Sequence, residues 1–212
     1  MRLLAKIAYD GSAFSGFAIQ PDSHIHTIEG KLSKVLQSVG IDSVLLYAGR
    51  TDKGVHASGQ MISFESEIHW NLVRLKELLN QKLYPHIYCK CIWRVPNDFH
   101  PRYNALWREY RYVATKKMPN VLCARFVGFE DYGDMSRVRE SLGYFIGEHN
   151  FRFFKKQGTL SKSDTRHIFR VSCYTYREYL IVKVRGNGFL RAQVRLMLGT
   201  IFAFGRGEIA KA

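Results

Sequence analysis

This chain has few cysteines and no long apolar run, and each scarcity excludes a class of protein. Its 212 residues include 4 cysteines, whose spacing forms neither a CxxC pair nor a zinc-binding set. We therefore expect no disulfide framework and no metal site. No stretch approaches the roughly 20 apolar residues of a membrane span, and the N-terminus lacks the apolar core of a signal peptide. We expect a soluble, cytoplasmic protein with no membrane partner.

Acidic residues are also scarce, and this scarcity indicates the kind of partner. Lys and Arg total 32 against 18 Asp and Glu, which gives a formal net charge of +14. An excess of this size favours a polyanionic partner, and nucleic acid is the most common one. The motifs of P-loop NTPases, GxSxG hydrolases and HExxH metalloproteases are absent from the chain.

Apolar periodicity predicts strands and helices that alternate along the chain. Period-2 alternation predicts strands at 3–9, 44–47, 60–64, 87–95, 103–114, 168–176 and 180–184. Helical spacing predicts helices at 28–39, 72–79, 135–146 and 189–204. This order predicts an α+β fold of two similar split-βαβ (ferredoxin-like) halves, with mainly antiparallel sheet, helices on one face and a central basic cleft. Pro96-Asn97-Asp98 breaks the pattern, so we place the boundary between halves 1–97 and 98–212.

One carboxylate stands between two cations in the segment Gly49-Arg50-Thr51-Asp52-Lys53-Gly54. Glycine permits a tight turn, and flanking cations favour the ionised form of an acid. The segment is therefore consistent with a turn that presents Asp52 as a charged nucleophile or base to an anionic substrate. An ordinary surface turn is the alternative interpretation, because Asp and Gly favour turns for local reasons.

Cations and aromatic residues alternate in the strand Trp107-Arg108-Glu109-Tyr110-Arg111-Tyr112. Arg108, Tyr110 and Tyr112 share one face, which suits phosphate contacts beside rings on which a base can stack. A sheet whose aromatics are core and whose arginines reach solvent fits the pattern equally well. Further along, Arg191 and Arg195 share a face if the apolar segment around them is helical.

Together these segments resemble the TruA-type tRNA pseudouridine synthases, and the resemblance runs through nearly the whole chain. The matching motifs are Tyr9-Asp10-Gly11 with Phe14, Gly16 and Gln20, then Gly49-Arg50-Thr51-Asp52-Lys53-Gly54-Val55-His56, Phe99-His100 with Arg102, Tyr110-Arg111-Tyr112, Lys162, Arg166, and Asn187 with Phe189, Val194 and Arg195. Members usually continue past the last helix with another helix and a closing strand, whereas this chain stops at Ala212. We therefore expect the usual C-terminal segment of the family to be missing.

The resemblance implies isomerisation of uridine to pseudouridine at positions 38, 39 and 40 of the tRNA anticodon arm. It implies a homodimer that needs no cofactor or metal. It also implies that Asp52 attacks the target nucleotide, that Tyr110 stacks on the uracil, and that Arg195 pairs with Asp52 and keeps it ionised. The residues predicted to bind the substrate are all basic: Arg50, Lys53, His56, Arg102, Arg108, Arg111, Lys162, Arg166 and Arg191.

A non-catalytic RNA-binding protein is the alternative function for the same basic surface. In that case Asp52 is only a turn residue. A pure binding protein has no need of a carboxylate in its most basic loop, because a carboxylate there repels phosphate. The position of Asp52 therefore favours the enzyme.

Overall fold

The computed structural model describes residues 1–21, 24–159 and 161–210. The chain forms two compact units, Met1–Ala105 and Leu106–Ala212. The structural division thus falls later than the boundary that the sequence predicts after Asn97. One contact that keeps this stretch with the first unit is the bond from Arg2 Nη1 to the Phe99 carbonyl oxygen, at 2.8 Å.

The first unit is a four-stranded antiparallel sheet with two helices. Its elements in chain order are β1 (Arg2–Tyr9), α1 (Ile28–Gln37), β2 (Leu46–Tyr47), β3 (Ala57–Glu65), α2 (Leu72–Leu83) and β4 (Ile87–Val95). The strand order is β2-β3-β1-β4, and all pairs are antiparallel. This is the βαββαβ arrangement of a split-βαβ unit, as the sequence predicts for this half.

Local sequence explains where the two helices begin. The Thr27 hydroxyl accepts a hydrogen bond from the Gly30 amide at 3.2 Å, and the Asn71 side chain accepts from the Val73 amide at 3.0 Å. Both are N-cap bonds that satisfy amides with no partner inside the helix. The apolar stripes of α1 and α2 pack on the β1 residues that face them, so both helices cover the same face of the sheet.

The second unit contains a five-stranded sheet and two helices. Its elements are β5 (Arg108–Thr115), β6 (Gly128–Phe129), α3 (Met135–Leu142), β7 (Gly147–Asn150), β8 (Thr165–Tyr176), β9 (Tyr179–Gly186) and α4 (Gln193–Arg206). The strand order is β6-β5-β9-β8-β7, and only the two-residue β5–β6 pairing is parallel. Helices α3 and α4 pack on one face through a separate core. Both units together give the mixed α+β, mainly antiparallel fold that the sequence predicts.

The second unit repeats most of the element order of the first. In the second unit β5, α3, β8, β9 and α4 repeat the first five elements of the split-βαβ order. Within residues 106–159 and 161–210, however, no strand follows α4, and β6 occupies that edge of β5 at Ala114 and Thr115 only. The predicted strand at 103–114 begins later, at Arg108, and the predicted helix at 189–204 begins at Gln193.

Candidate functional site

The Asp52 loop connects β2 to β3 and is a tight, braced turn. Gly54 has φ of +77°, a left-handed conformation that glycine adopts without strain. The Val55 amide donates to the Asp52 carbonyl oxygen at 3.1 Å, and the Gln60 side chain donates to the Gly49 carbonyl oxygen at 2.5 Å. Asp52 itself is half-buried. The loop therefore holds one carboxylate at the surface on a backbone that is fixed at both ends.

Thr51, immediately before Asp52, docks the loop on the segment that follows β1. Its hydroxyl bonds the Tyr9 hydroxyl at 2.8 Å, and its carbonyl oxygen accepts from the Phe17 amide at 3.0 Å. The backbone approach is close here, because a Cβ added to Gly11 would lie 2.0 Å from the Val55 carbonyl oxygen. The first motif and the Asp52 loop, which are about 40 residues apart in sequence, thus pack as one structure.

His56 links the same two segments. Its Nδ1 lies 3.1 Å from the Gly11 amide nitrogen and 3.1 Å from Asp10 Oδ1. An unprotonated Nδ1 accepts from the amide, whereas a protonated Nδ1 donates to the carboxylate, so only one of these bonds forms in a given state. Sequence analysis assigns His56 to substrate binding. That assignment stays a prediction, and the geometry adds a role in holding the Asp52 loop.

Exposed cations surround the loop and the end of the first unit. The Arg50 guanidinium donates from Nε to the Tyr47 hydroxyl at 3.0 Å and lies 5.9 Å from that ring. Lys53 is exposed beside Asp52. Arg102 is exposed too, with its guanidinium 5.8 Å from the Tyr103 ring. With His56, these are the first-unit residues that the sequence predicts to bind the substrate, and the exposure of the three cations suits contact with phosphate.

In the second unit Tyr110 lies on the helix-covered face of the sheet. Its ring packs edge-on against Phe189, with centroids 5.0 Å apart. Strand alternation puts Arg108 on the same face and Arg111 on the opposite one, where Arg111 is paired with Lys183 of β9. Arg111 and Tyr110 are both predicted site residues, but the structure does not bring their side chains together.

Asn187 organises the segment that leads to α4. Its side-chain oxygen accepts from the His167 amide at 3.1 Å, and its carbonyl oxygen accepts from Arg108 Nη1 at 2.7 Å. Arg166 lies next to this segment, since a Cβ on Gly188 would be 3.6 Å from its Nε. Two predicted substrate-binding arginines, Arg108 and Arg166, therefore meet at this segment.

The helical pairing expected for Arg191 and Arg195 is wrong. Ala192, between them, has φ of +63°, which is a left-handed conformation, and α4 begins only at Gln193. The buried Gln193 side chain accepts from the Leu190 amide at 2.8 Å, and this bond fixes the helix start. Arg191 thus precedes the helix while Arg195 lies in its first turn. Sequence analysis missed Gln193, although a polar residue inside an apolar segment was a visible signal.

Arg195 lies close to a second tyrosine of β5. Burial raises the pKa of Tyr112, and so does its hydroxyl bond to Glu130, while the charge of Arg195 opposes this rise. The Arg195 side chain is therefore within electrostatic range of the Tyr112 hydroxyl. The second unit therefore gathers Arg195, Tyr112 and Tyr110 on one side of its sheet.

Lys162 is exposed in the basic loop 155–162, of which all residues but Leu160 are described.

Among the described residues, no group of three or more His, Cys, Asp or Glu side chains is arranged to hold a metal ion. Within the same ranges, no helix has both the length and the apolar character needed to cross a membrane.

Comparison with known proteins decides the family. A family model described as tRNA pseudouridine synthase matches residues 5–104 and 142–212. The chain belongs to the tRNA pseudouridine synthase family. As a tRNA pseudouridine synthase it is an isomerase that acts on tRNA. Asp52 and Arg195 fall inside the matched ranges of the family, and Tyr110 falls between them.

Curated relatives extend the match over almost all of this synthase. It is 47% identical over 211 residues to tRNA pseudouridine synthase A of Helicobacter hepaticus, covering 97% of this chain and 85% of that protein. It is 38% identical over 212 residues to the enzyme of the same name from Helicobacter pylori, strain HPAG1, with 98% and 86% covered. It is 37% identical over 211 residues to tRNA pseudouridine synthase A of Wolinella succinogenes, covering 98% of this chain and 82% of that protein. Among solved structures, a chain of a Cbf5-Nop10-Gar1 complex aligns with a TM-score of 0.42 and 10% sequence identity. The alignment covers 92% of this chain and 44% of that chain.

Proposed function

We propose that this synthase uses Asp52 as the nucleophile that isomerises uridine in the anticodon arm of tRNA, at positions 38, 39 and 40. The observation that carries the proposal is the Asp52 loop. It presents a half-buried carboxylate beside exposed Arg50 and Lys53, and hydrogen bonds on both sides brace its backbone. A nucleophile held in one geometry needs no reorganisation when it attacks.

The chemistry requires a charged and immobile group of this kind. The N1–C1′ bond of the nucleotide breaks, a C5–C1′ bond forms, the hydrogen at C5 leaves as a proton, and N1 takes up a proton. Substrate and product are isomers, so the net reaction consumes no oxidant, reductant or second substrate. Asp52 attacks the nucleotide and stays bonded to it while the uracil turns, and this bond breaks when the C5–C1′ bond forms. Tyr110 and Arg195 are the other residues with predicted roles in this reaction.

The charge of the chain supports a folded RNA as the ligand. The target base must leave its stack, which costs a few kcal/mol that phosphate contacts offset. Exposed Arg50, Lys53 and Arg102 in the first unit and exposed Arg191 in the second are suited to those contacts. The choice of the anticodon arm, the homodimeric state and the absence of a cofactor rest on the family resemblance, whereas the cytoplasmic location rests on the sequence of the N-terminus.

Release of tritium from tRNA labelled at uracil C5 tests the nucleophile. The parent releases label because the C5 proton leaves during isomerisation, and we expect Asp52→Asn to release none while its tRNA affinity stays within a few-fold. Asp42→Asn is the matched control, since Asp42 is an exposed carboxylate elsewhere in the first unit. Release by Asp52→Asn at the parent rate would remove Asp52 from the mechanism. Binding without release by the parent would favour the RNA-binding alternative.

A further inference from the structure

The Phe153 ring is exposed although the nearest aromatic residues on either side of it in the sequence, Phe151 and Phe154, pack in the core of the second unit. Residues Arg152–Phe154 form a short 3₁₀ turn. Phe151, before it, is buried, and the Phe154 ring packs edge-on against Phe145 with centroids 5.4 Å apart. Phe153 lies between these two anchors and is 90% exposed. The core thus fixes the backbone of the turn and leaves this one large apolar ring in solvent.

Cations surround this ring. Arg152 and Lys156 are exposed, while the Lys155 ammonium donates to both Asp164 oxygens, at 2.7 and 2.8 Å. Asp164 balances Lys155, and the other two cations keep the surface basic. An open pocket of about 330 Å³ is lined by Arg152, Phe153, Lys155, Gln157 and Gly158.

A backbone hydrogen bond makes this surface continuous with the candidate site of the second unit. The Lys156 amide donates to the Arg191 carbonyl oxygen at 3.0 Å. Arg191 belongs to the segment that carries Phe189 and leads to Arg195. An RNA strand that reaches the Arg191 segment therefore passes next to the Phe153 turn.

We propose that Phe153 is a stacking platform for a tRNA base other than the target uridine, with Arg152 and Lys156 contacting the adjoining phosphates. The inference rests on the proposed function, because it takes tRNA as the ligand. An exposed ring flanked by cations is the arrangement by which proteins bind single-stranded nucleotides without reading their sequence. A single ring buries too little apolar surface to hold a protein partner.

The test compares Phe153→Leu and Phe153→Trp in the full chain by measuring the dissociation constant for tRNA over a range of salt. Leucine keeps the apolar character but has no π-face, so we expect about tenfold weaker binding, and tryptophan restores affinity to within about twofold. The slope of log affinity against log salt concentration stays unchanged in both Phe153 variants. Arg152→Gln reduces the magnitude of this slope by about one, because one phosphate contact is lost. Tyr176→Leu is the matched control, since the Tyr176 ring is also exposed, to 60%, but lies at the C-terminal end of β8. That end of the strand is roughly 26 Å from Ile168, near its start, at about 3.3 Å per residue.

Several outcomes would overturn the inference. Binding by Phe153→Leu within twofold of the parent contradicts stacking, and so does a tryptophan variant as weak as the leucine variant. A sedimentation change in Phe153→Leu without a change in tRNA affinity would assign the ring to a protein contact instead. Failure of the proposed function looks different, since Asp52→Asn would then release tritium whatever residue stands at 153.

Discussion

The close approach of Gly11 to the Asp52 loop yields a prediction about a residue that does no chemistry. A Cβ at position 11 would lie 2.0 Å from the Val55 carbonyl oxygen and 2.5 Å from its carbon. Both are backbone atoms, so no side chain can rotate away. Ordinary contact begins at 3.4 Å, and one of the two segments must therefore retreat by about 1.4 Å, the difference between these distances.

Val55 is three residues from Asp52 and its amide bonds the Asp52 carbonyl oxygen, so the retreat displaces Asp52, the proposed nucleophile. Misplacement of a reacting group by about 1 Å can reduce a rate by about 100-fold, or about 2.7 kcal/mol in the barrier. We expect Gly11→Ala to lower the single-turnover rate constant by about this factor. Overpacking of the same kind lowers the free energy of unfolding by about 1–3 kcal/mol.

The assay is tritium release under single-turnover conditions, with tRNA affinity measured in parallel. Gly143→Ala serves as the control because a Cβ there meets no atom within 4 Å and its φ is −60°. We expect the control to keep full activity. Activity of Gly11→Ala within threefold of the parent would refute the argument that the two segments pack as one structure.

Two further predictions concern cysteine reactivity and assembly. Burial raises the pKa of Cys89 to about 12, so its thiol stays protonated at pH 8. We therefore expect a thiol reagent to label the exposed Cys91 in the native protein, and to label Cys89 only after unfolding. Mass spectrometry of the labelled peptides checks this, and equal labelling of both cysteines would contradict the buried position. The resemblance predicts a homodimer, which sedimentation at micromolar concentration should show, and a monomer at every concentration would contradict it.

Features set by neighbouring residues were predictable from sequence. The Asp52 loop is an example, since its glycines and charges are adjacent in the chain and the turn follows from their local preferences. Strand β9 is another, because its core residues Leu180, Val182 and Val184 alternate with residues outside that core. In each case the structure has the element that the pattern predicts.

Features set by an unusual backbone conformation or by distant contacts were not predictable. The start of α4 depends on the left-handed Ala192 and on a buried hydrogen bond from the Leu190 amide to Gln193, which apolar spacing does not reveal. The Gly11–Val55 approach joins segments about 40 residues apart, so no local preference encodes it. Arg111 was assigned to substrate binding because of its residue type and its motif. In the strand, its side chain lies on the face opposite to that of Tyr110.

The most direct test of the central claim uses tRNA whose C5 tritium label is confined to uridines at positions 38, 39 and 40. A single-turnover time course then reports isomerisation at those positions alone. We predict that the parent releases one tritium for each labelled uridine converted, and that Asp52→Asn releases none while it still binds the tRNA. Release by Asp52→Asn at the parent rate would contradict the role of Asp52, and absence of release by the parent would contradict the proposed positions.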